Sequence, residues 1–533
     1  GPIKNIRFHE VLLFFILLFA FFYSIKVRTT TLDIPFDRDE GGYAYGARLL
    51  LQGISPYDRV NNMRLPGMVW IYALFFKLAG TASETIRFFA LILNLFTAVF
   101  IYLWGSRWIH PLTGISSCIV FLLFSLVPEI QGCMANSEQF VIFFGMAGIF
   151  FVNGFVEKNS RLSWLIPGGL SLGMAFIIKP YAASFILFSV FIFETGIFSI
   201  RKKISRVCLL HAVFFGCMAL PLFIVFLVLL HHGCLESTWF WIHTYAAYYV
   251  SYIPFSVGMN LLKTQLVNIF CASKWLLFFI GLGMVSLFFL PRDEKKKSWI
   301  IVLFTFFSFL SVCPGFYFRG HYFILLTPSL SLLAGLGYFY LFRLLSNFNM
   351  PSQAVSVLTA VICGMIVLGS HHDPYPCSTE RTFLGSFRAM GEKIRFVSQP
   401  GDKIAVLGSE PQILFYADRS SATSYLYIYP MMEPQPHALD MQNEMISQIE
   451  GESPEFLLFV FFQSSLGVTE DSEKKLFYWF EQYKKQYTMT GLVDYLSRDK
   501  IVFHWKKGLS HPLPAPRIGW IGIYRKKRPH ENL

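Results

Sequence analysis

Long apolar runs separated by short polar connections occupy the first 370 residues of the chain. Runs that are long enough, or nearly long enough, to cross a bilayer as a helix number about eleven. They lie at 11–27, 86–106, 111–128, 139–156, 162–178, 180–198, 207–230, 265–290, 298–314, 321–342 and 353–370. The run at 66–78 is too short to span and predicts a helix lying in the membrane interface. The pattern predicts a polytopic α-helical membrane protein.

Composition supports this prediction. Hydrophobic residues make up 54% of the chain and charged residues only 15%, whereas soluble proteins have about 25% charged residues. The net charge of +12 comes largely from Lys and Arg in short connections between the apolar runs, as membrane topology requires. The basic character therefore argues for a membrane protein and against nucleic-acid binding.

The basic clusters also predict an orientation. With a cytoplasmic N-terminus, nearly all of them fall in inner connections, as the positive-inside rule requires. These clusters are Arg107, Lys158 with Arg161, Arg201 to Arg206, Arg292 to Lys297, and Arg343. The loop at 28–85 and the tail from residue 371 onward are then outside.

The tail is predicted to be a separate domain. Its hydrophobicity drops, and strand-like runs at 403–407, 456–462 and 520–524 alternate with polar helical stretches such as 472–485. We therefore predict a membrane module over 1–370 and a soluble α/β domain over 371–533. No catalytic motif stands out in the tail.

Polar residues recur at the predicted outer ends of the apolar runs. Carboxylates there can act as a general base or bind a metal, and Arg or Lys can pair with phosphate. The alternative is that they are ordinary loop charges in water. Gly41-Gly42 directly follows the first acids and indicates that the chain turns back to the membrane there. The outer polar residues are Asp37, Asp39, Glu40, Arg59, Arg64, Asn136, Glu138, Lys179, Arg319 and His321.

Several of these residues lie in motifs that resemble a known family. Asp39-Glu40-Gly41-Gly42-Tyr43-Ala44 resembles the Asp-Glu-x-x-Tyr-Ala motif in the first outer loop of GT-C integral-membrane glycosyltransferases. The most similar branch contains the protein O-mannosyltransferases, the aminoarabinose transferase of lipid A and the Rgt-type lipopolysaccharide glycosyltransferases. The resemblance continues in order through 51–57, 64–67, 135–138, 173–180, 319–322 and, in the tail, 408–411 and 413–416.

The resemblance implies a GT-C fold and inverting transfer of a sugar from a polyprenyl-phosphate donor to a hydroxyl. The acceptor would be lipopolysaccharide or lipid A, another envelope glycan, or a protein, on the outer side of a bacterial inner membrane. Asp39 would be the general base, and Glu40 would hold Asp39 or the acceptor in position. Asp37, an acid that not all relatives carry, is the third candidate catalytic residue. The implied phosphate-binding residues are Arg64, Lys179, Arg319 and Arg59, and the implied substrate-binding residues are Tyr43, Asn136, Glu138, His321 and Tyr322.

Two departures from the family pattern bear on the chemistry. Arg64-Leu65-Pro66 stands where many relatives have Lys-Pro-Pro, which keeps the positive charge. Asp37 makes Asp37-Arg38-Asp39 a DxD motif, and such acids bind a divalent cation in the oligosaccharyltransferases of the class. Because the chain is more similar to the mannosyltransferase branch, and none of its nine cysteines forms a CxxC pair, we expect no obligatory metal or other cofactor.

Two other functions compete with transfer. A transporter or flippase of a lipid-linked saccharide would also need many spans and a cationic phosphate site. Such proteins place key polar residues near the membrane midplane and contain repeats, which this sequence lacks. A scaffold whose outer domain binds a partner would explain the large tail but not the acids of the first loop.

Overall fold

The computed structural model describes residues 2–55, 60–61, 63–157, 161–198, 203–346, 354, 357–358, 361, 365, 377–505 and 518–527. Arg59, one of the predicted phosphate ligands, lies outside the described residues, and so does most of the last predicted span, 353–370.

A bundle of apolar helices forms the first part of the molecule. Its main helices are α1 (Pro2–Thr29), α2 (Arg38–Leu51), α3 (Gly67–Ala79), α4 (Ser83–Trp108), α5 (Pro111–Phe124), α6 (Ser137–Glu157), α7 (Leu162–Ile178), α8 (Ala183–Phe198), α9 (Ile204–His231), α10 (Phe255–Ala272), α11 (Lys274–Phe289), α12 (Arg292–Leu310) and α13 (Thr327–Ser346). Shorter helical segments are Pro128–Ile130, Pro180–Ala182, Leu235–Trp239, Phe240–Tyr245, Ala246–Ser251, Pro314–Phe316 and Gly320–Leu326.

Among the described residues, six helices are long and apolar enough to cross a membrane, or seven if one bent pair counts as a single span. The chain is thus a multi-pass membrane protein. The total of about eleven spans stays a prediction, since α5 and α7 are shorter apolar helices. The interfacial run is helical as predicted, in α3.

The apolar run at 265–290, predicted as one span, does not form one straight helix. The chain breaks at Ser273, and α10 and α11 meet there at an angle of 102°. Ser273 leaves the helical conformation, with φ −139° and ψ 51°, and its hydroxyl donates to the Ile269 carbonyl over 2.6 Å. Hydropathy detects the apolar run but not a change of helix direction within it.

The two ends of the bundle differ in charge and in what they carry. At one end, the Arg343 guanidinium pairs with Glu294 at 2.7 Å, and the Trp108 indole donates to the Lys297 carbonyl over 3.3 Å. Three of the predicted inner basic clusters therefore lie at this end. The opposite end carries α2 and the C-terminal domain, and we call it the domain-bearing end.

The C-terminal domain is the predicted α/β domain. Its sheet has the order β2-β1-β3-β6-β4-β5, with β1 parallel to β2 and β3 and the other pairs antiparallel. The strands are β1 (Lys403–Leu407), β2 (Ser420–Ser421), β3 (Phe456–Phe461), β4 (Tyr487–Tyr495), β5 (Ile501–His504) and β6 (Gly519–Lys526). Its helices are α14 (Cys377–Val397), α15 (Gln412–Ala417), α16 (Ala438–Glu452) and α17 (Lys475–Tyr483), with short turns at Tyr429–Met432, Gln463–Leu466 and Lys484–Gln486.

Strands β1, β3 and β6 confirm the three predicted strand runs, and α17 confirms the helix predicted within 472–485. Strand β4 was not predicted. Its threonines and Asp494 interrupt the apolar pattern, and the pairing with β6 shifts register between Met489 and Gly491. A bulged strand loses the strict two-residue alternation on which strand prediction depends.

The domain packs directly on α2. A Cβ atom on Gly41 would lie 2.5 Å from the Gln412 Cβ, and one on Gly42 would lie 2.1 Å from the Tyr427 hydroxyl. The interpretation of the two glycines as a turn is therefore wrong, because both lie inside helix α2. Their lack of a side chain lets the C-terminal domain approach the helix backbone. Phe415 extends the contact by packing 5.3 Å from the Phe36 ring.

Replacing Gly41 with alanine should lower the free energy of unfolding by about 1–3 kcal/mol, because the new methyl group overpacks this contact. Thermal unfolding of the purified protein in detergent measures the effect. The control is Gly385→Ala in α14, where a Cβ would meet open space. Gly385→Ala should leave stability unchanged or raise it by up to about 1 kcal/mol. Equal stability of the two variants would contradict the proposed fit.

Candidate active site

The first acids of the chain form the start of α2. Asp37 is the N-cap residue, and its carboxylate accepts the Glu40 N–H over 2.8 Å. In return, the Glu40 carboxylate accepts the Asp37 N–H over 3.0 Å. This reciprocal capping box satisfies two backbone donors at the helix start and leaves the Asp39 side chain free for other partners.

Glu40 points into the protein. Its carboxylate is fully buried and pairs with the Arg87 guanidinium at 2.7 Å, and it also accepts the Ala135 N–H over 2.7 Å. Arg87 further donates to the carbonyls of Thr31, Ile34 and Pro35. The pair thus ties α2 to α4, to the segment after α1 and to the loop before α6.

Asp39 has a different partner and pairs with Arg64, whose guanidinium lies 2.9 Å from the carboxylate. The Arg64 guanidinium also lies over the Tyr43 ring at 5.0 Å and the Tyr427 ring at 6.0 Å. About one fifth of each charged side chain is exposed, 21% for Asp39 and 23% for Arg64. Tyr427 belongs to the C-terminal domain, so both parts of the molecule enclose the pair.

The two aspartates differ electrostatically. Burial raises the pKa of Asp37 well above its usual range, and the nearby carboxylates of Glu40 and Asp39 act in the same direction. Burial also disfavours ionised Asp39, but Arg64, with smaller contributions from His321 and Arg319, outweighs burial and holds the pKa of Asp39 well below its usual range. Environments that separate two carboxyl pKa values in this way favour different roles for the two acids.

A second charged group lies where α7 gives way to α8. Lys179 forms an ion pair with Glu138, which is buried at the start of α6. The Lys179 ammonium lies 4.4 Å from the centre of the Tyr322 ring and 4.7 Å from that of Tyr181. His321 Nε2 is 4.0 Å from the same Glu138 carboxylate. Four predicted site residues from three separate segments are thus together.

Arg319 differs from the other cations of the site. It is exposed to the adjoining cavity and, within the described residues, it makes no ion pair. Its guanidinium lies over the Tyr317 ring at 5.3 Å. The loop before it contains two non-glycine residues with positive φ, Phe316 at 54° and Phe318 at 42°. Such backbone costs about 1–3 kcal/mol per residue, so the surrounding structure holds Arg319 in place against strain.

Beside the contact with α2, a cavity of about 1030 Å³ lies between the bundle and the C-terminal domain. Asp37, Asp39, Arg319 and His321 line its bundle side. The side formed by the C-terminal domain includes Phe383, Phe387, Glu380, Glu410, Phe462 and Arg498. A narrower pocket of about 40 Å³ has Arg64 on its wall, together with Tyr43, Leu229 and Trp241. Asp39 thus faces the large cavity while its partner Arg64 faces an apolar cleft.

The structure shows the surroundings of the polar residues that the sequence predicts to form a site. The interpretation as ordinary solvated loop charges does not fit the paired side chains of Asp39, Glu40, Arg64, Glu138 and Lys179. Asn136 is buried beside the Glu138 group, and neither atom of its side-chain amide has a hydrogen-bond partner within the described residues. The assignment of individual catalytic and binding roles stays a prediction.

Sequence reasoning missed three contributors to the site. Arg87 lies at the start of an apolar run, and its charge there is the only sequence feature that marks it as unusual. Glu410 and Tyr427 come from the C-terminal domain. Glu410 lies in the 408–411 segment of the family resemblance but was not assigned to the site, and Tyr427 gave no signal. Within the described residues, no group of three or more His, Cys, Asp or Glu side chains could hold a metal ion. The expectation that no metal is obligatory stays a prediction.

Comparison with known proteins supports the resemblance. Residues 64–230 match the family model of the dolichyl-phosphate-mannose-protein mannosyltransferases. No curated protein matches the sequence.

Solved structures share the fold. ArnT from Cupriavidus metallidurans bound to undecaprenyl phosphate is 12% identical, with a TM-score of 0.58 over 95% of this chain and 97% of that chain. The same protein in the apo state is 13% identical, with a TM-score of 0.56 over 83% of this chain and 92% of that one. The oligosaccharyltransferase of Archaeoglobus fulgidus is 12% identical, with a TM-score of 0.55 over 93% and 74% of the two chains.

The chain therefore has the fold of these integral-membrane glycosyltransferases, the GT-C fold predicted from the sequence.

Replacing Glu40 with glutamine should lower the free energy of unfolding by about 3–5 kcal/mol, because Arg87 would keep a buried charge without its counter-charge. Thermal unfolding in detergent tests this. The control is Glu392→Gln, which removes an exposed ion pair with Arg388 and should change stability by less than about 1 kcal/mol. A Glu40→Gln protein as stable as the control would show that the buried pair does not hold the site together.

Proposed function

We propose that this protein transfers a sugar from a polyprenyl-phosphate carrier to a hydroxyl acceptor, with inversion at the anomeric carbon. The observation that carries the proposal is the ion pair of Asp39 with Arg64 at the edge of a large cavity. Arg319 lines the same cavity and has no ion-pair partner in the described part of the chain. Such a site combines an ionised carboxylate for a hydroxyl proton with cations for a leaving phosphate.

The chemistry follows from this arrangement. Asp39 takes the proton from the acceptor hydroxyl as the acceptor oxygen attacks the anomeric carbon. The bond between that carbon and the phosphate oxygen breaks, and the polyprenyl phosphate leaves with the bonding electrons. Arg64, Arg319 and Lys179 stabilise the negative charge that grows on the phosphate. Removing one such donor typically costs about 10²–10³ in rate.

Two anions then compete for Arg64, the Asp39 carboxylate and the donor phosphate. Without donor, it pairs with Asp39 at 2.9 Å and keeps that carboxylate weakly basic. A donor phosphate competes for the guanidinium and weakens the hold on Asp39. Because a carboxylate that loses its counter-charge becomes more basic, donor binding prepares the base for the acceptor.

The remaining site residues take supporting roles in the proposal. Glu40 and Asp37 position Asp39 by capping α2, and Tyr43 supports the Arg64 guanidinium from below. Glu138 orients Lys179. The polar side chains of Asn136, His321 and Tyr322 bind the substrates. Arg59, which the sequence analysis predicts to be a phosphate ligand, retains that role in the proposal.

The proposed setting is a bacterial inner membrane, with a cytoplasmic N-terminus and the domain-bearing end in the periplasm or outside. The basic clusters at the opposite end support this orientation through the positive-inside rule. The acceptor is a hydroxyl of lipopolysaccharide or lipid A, of another envelope glycan, or of a protein. The bound undecaprenyl phosphate in the Cupriavidus ArnT structure supports a carrier of that class here.

A transporter or flippase is the second candidate. It is less favoured because the site lies at the domain-bearing end of the bundle, whereas transporters bind their substrates near the midplane.

The purified protein in liposomes should transfer sugar from polyprenyl-phosphate donors and not from soluble UDP- or GDP-sugars.

Asp39→Asn should lower turnover by at least about 10²-fold, because the amide cannot accept the proton. Activity should survive EDTA, since three cations can neutralise the phosphate. The readout is mass spectrometry of the acceptor fraction, with a control variant, Glu392→Gln, that keeps full activity.

Transfer from a nucleotide sugar without a lipid carrier would overturn the proposed donor class. Loss of activity in EDTA that Mg²⁺ or Mn²⁺ restores would instead assign Asp37 and Asp39 to a metal.

The pH dependence should differ between free enzyme and donor complex. Transfer requires ionised Asp39 and is lost as the pH falls through the pKa of Asp39. In the free enzyme, Arg64 holds that pKa well below its usual range, so kcat/KM should stay flat on the acid side to about pH 4. In the donor complex the phosphate draws Arg64 away, so the acid limb of kcat should lie at higher pH. Coincident acid limbs would contradict the exchange of partners by Arg64.

A further inference from the structure

Arg38 lies between Asp37 and Asp39 in the sequence, yet its side chain pairs with neither of them. Its guanidinium reaches into the C-terminal domain, where Nη2 lies 2.5 Å from Glu410 Oε1. Nη1 donates to the Ser464 carbonyl over 2.6 Å. The central residue of the DxD motif is therefore held by another domain.

Glu410 is built to hold this arginine. Only 4% of its side chain is exposed, and its second oxygen accepts a hydrogen bond of 2.6 Å from the Gln412 amide. A buried carboxylate with both oxygens engaged is fixed in position, and its charge is offset by Arg38.

The two contacts to Arg38 come from equivalent places in the sheet. Glu410 follows the parallel strand β1, and Ser464 follows its parallel neighbour β3. Loops at the carboxyl ends of parallel strands are the usual binding edge of such sheets. Here they are joined to each other, since the Ser409 N–H donates to the Ser465 hydroxyl over 2.8 Å. The binding edge of the domain is occupied by Arg38.

We propose that Glu410 is a positioning residue that acts through Arg38 to aim Asp37 and Asp39 into the cavity. The C-terminal domain thereby completes the active site. The inference rests on the proposed function for its catalytic consequence, but its structural part stands on the contacts alone. Without the Glu410 charge, Arg38 is free to turn toward the adjacent aspartates, and the first turn of α2 loses its tie to the sheet.

The test compares Glu410→Gln with Glu455→Gln. The control variant replaces Glu455, a carboxylate of the same domain at the amino end of β3. Glu455 pairs with Arg525 at 2.8 Å. Glu410→Gln should lower kcat by about 10–10²-fold, the range that small misplacements of a catalytic group produce. The KM for the donor should change by less than about twofold, because the phosphate ligands keep their places. Glu455→Gln should keep both constants.

A double-mutant cycle shows whether Glu410 acts through Arg38. If it does, Glu410→Gln should cost no further activity in an Arg38→Gln background. A full additional loss in that background, or wild-type kcat in the single variant, would overturn the proposal.

Hydrogen exchange separates this inference from the proposed function. Amides of residues 38–45 should exchange faster in Glu410→Gln than in wild type, with no change in Glu455→Gln. If wild-type protein used no lipid-linked donor, the proposed function would fail, while faster exchange would still support the tie between the domain and α2. Unchanged exchange at 38–45 would overturn the tie itself.

Discussion

The buried ion pair between Glu40 and Arg87 is the interaction on which the domain-bearing end depends. A charge inside a protein is tolerated only when it is paired and its remaining hydrogen bonds are satisfied. Arg87 meets this demand with Glu40 and three backbone carbonyls. Because the partners come from α2, α4 and the segment after α1, satisfying this one charge fixes three pieces of chain relative to each other.

The chemistry follows from the geometry that this pair imposes. With Glu40 directed inward and Asp37 capping the helix, Asp39 pairs with Arg64 and lines the cavity. Glycines at 41 and 42 then let the C-terminal domain contact the same helix turn. The Asp39 carboxylate, the proposed base, is thus held between the helix bundle and the C-terminal domain. A lipid-linked donor with an apolar tail and a charged head suits such a boundary.

The membrane class, the α/β tail and the convergence of distant charges could be predicted from the sequence. Hydropathy and positive clusters report on average environments, which suffice for these features. The break at Ser273 could not be predicted, because an apolar run carries no signal for a change of helix direction within it. Nor could the direction of Glu40, since adjacent acids look alike until a distant arginine selects one of them. The contribution of Glu410 required knowing how two domains meet.

The most direct test is an experimental structure of the protein with a polyprenyl-phosphate sugar bound in a lipid nanodisc. The account predicts the phosphate within hydrogen-bond distance of Arg64 and Arg319, with the Asp39 to Arg64 separation longer than the 2.9 Å of the free protein. The Asp39 carboxylate should face the anomeric carbon from the cavity side. A phosphate bound away from Arg64 and Arg319, or at the opposite end of the bundle, would contradict it.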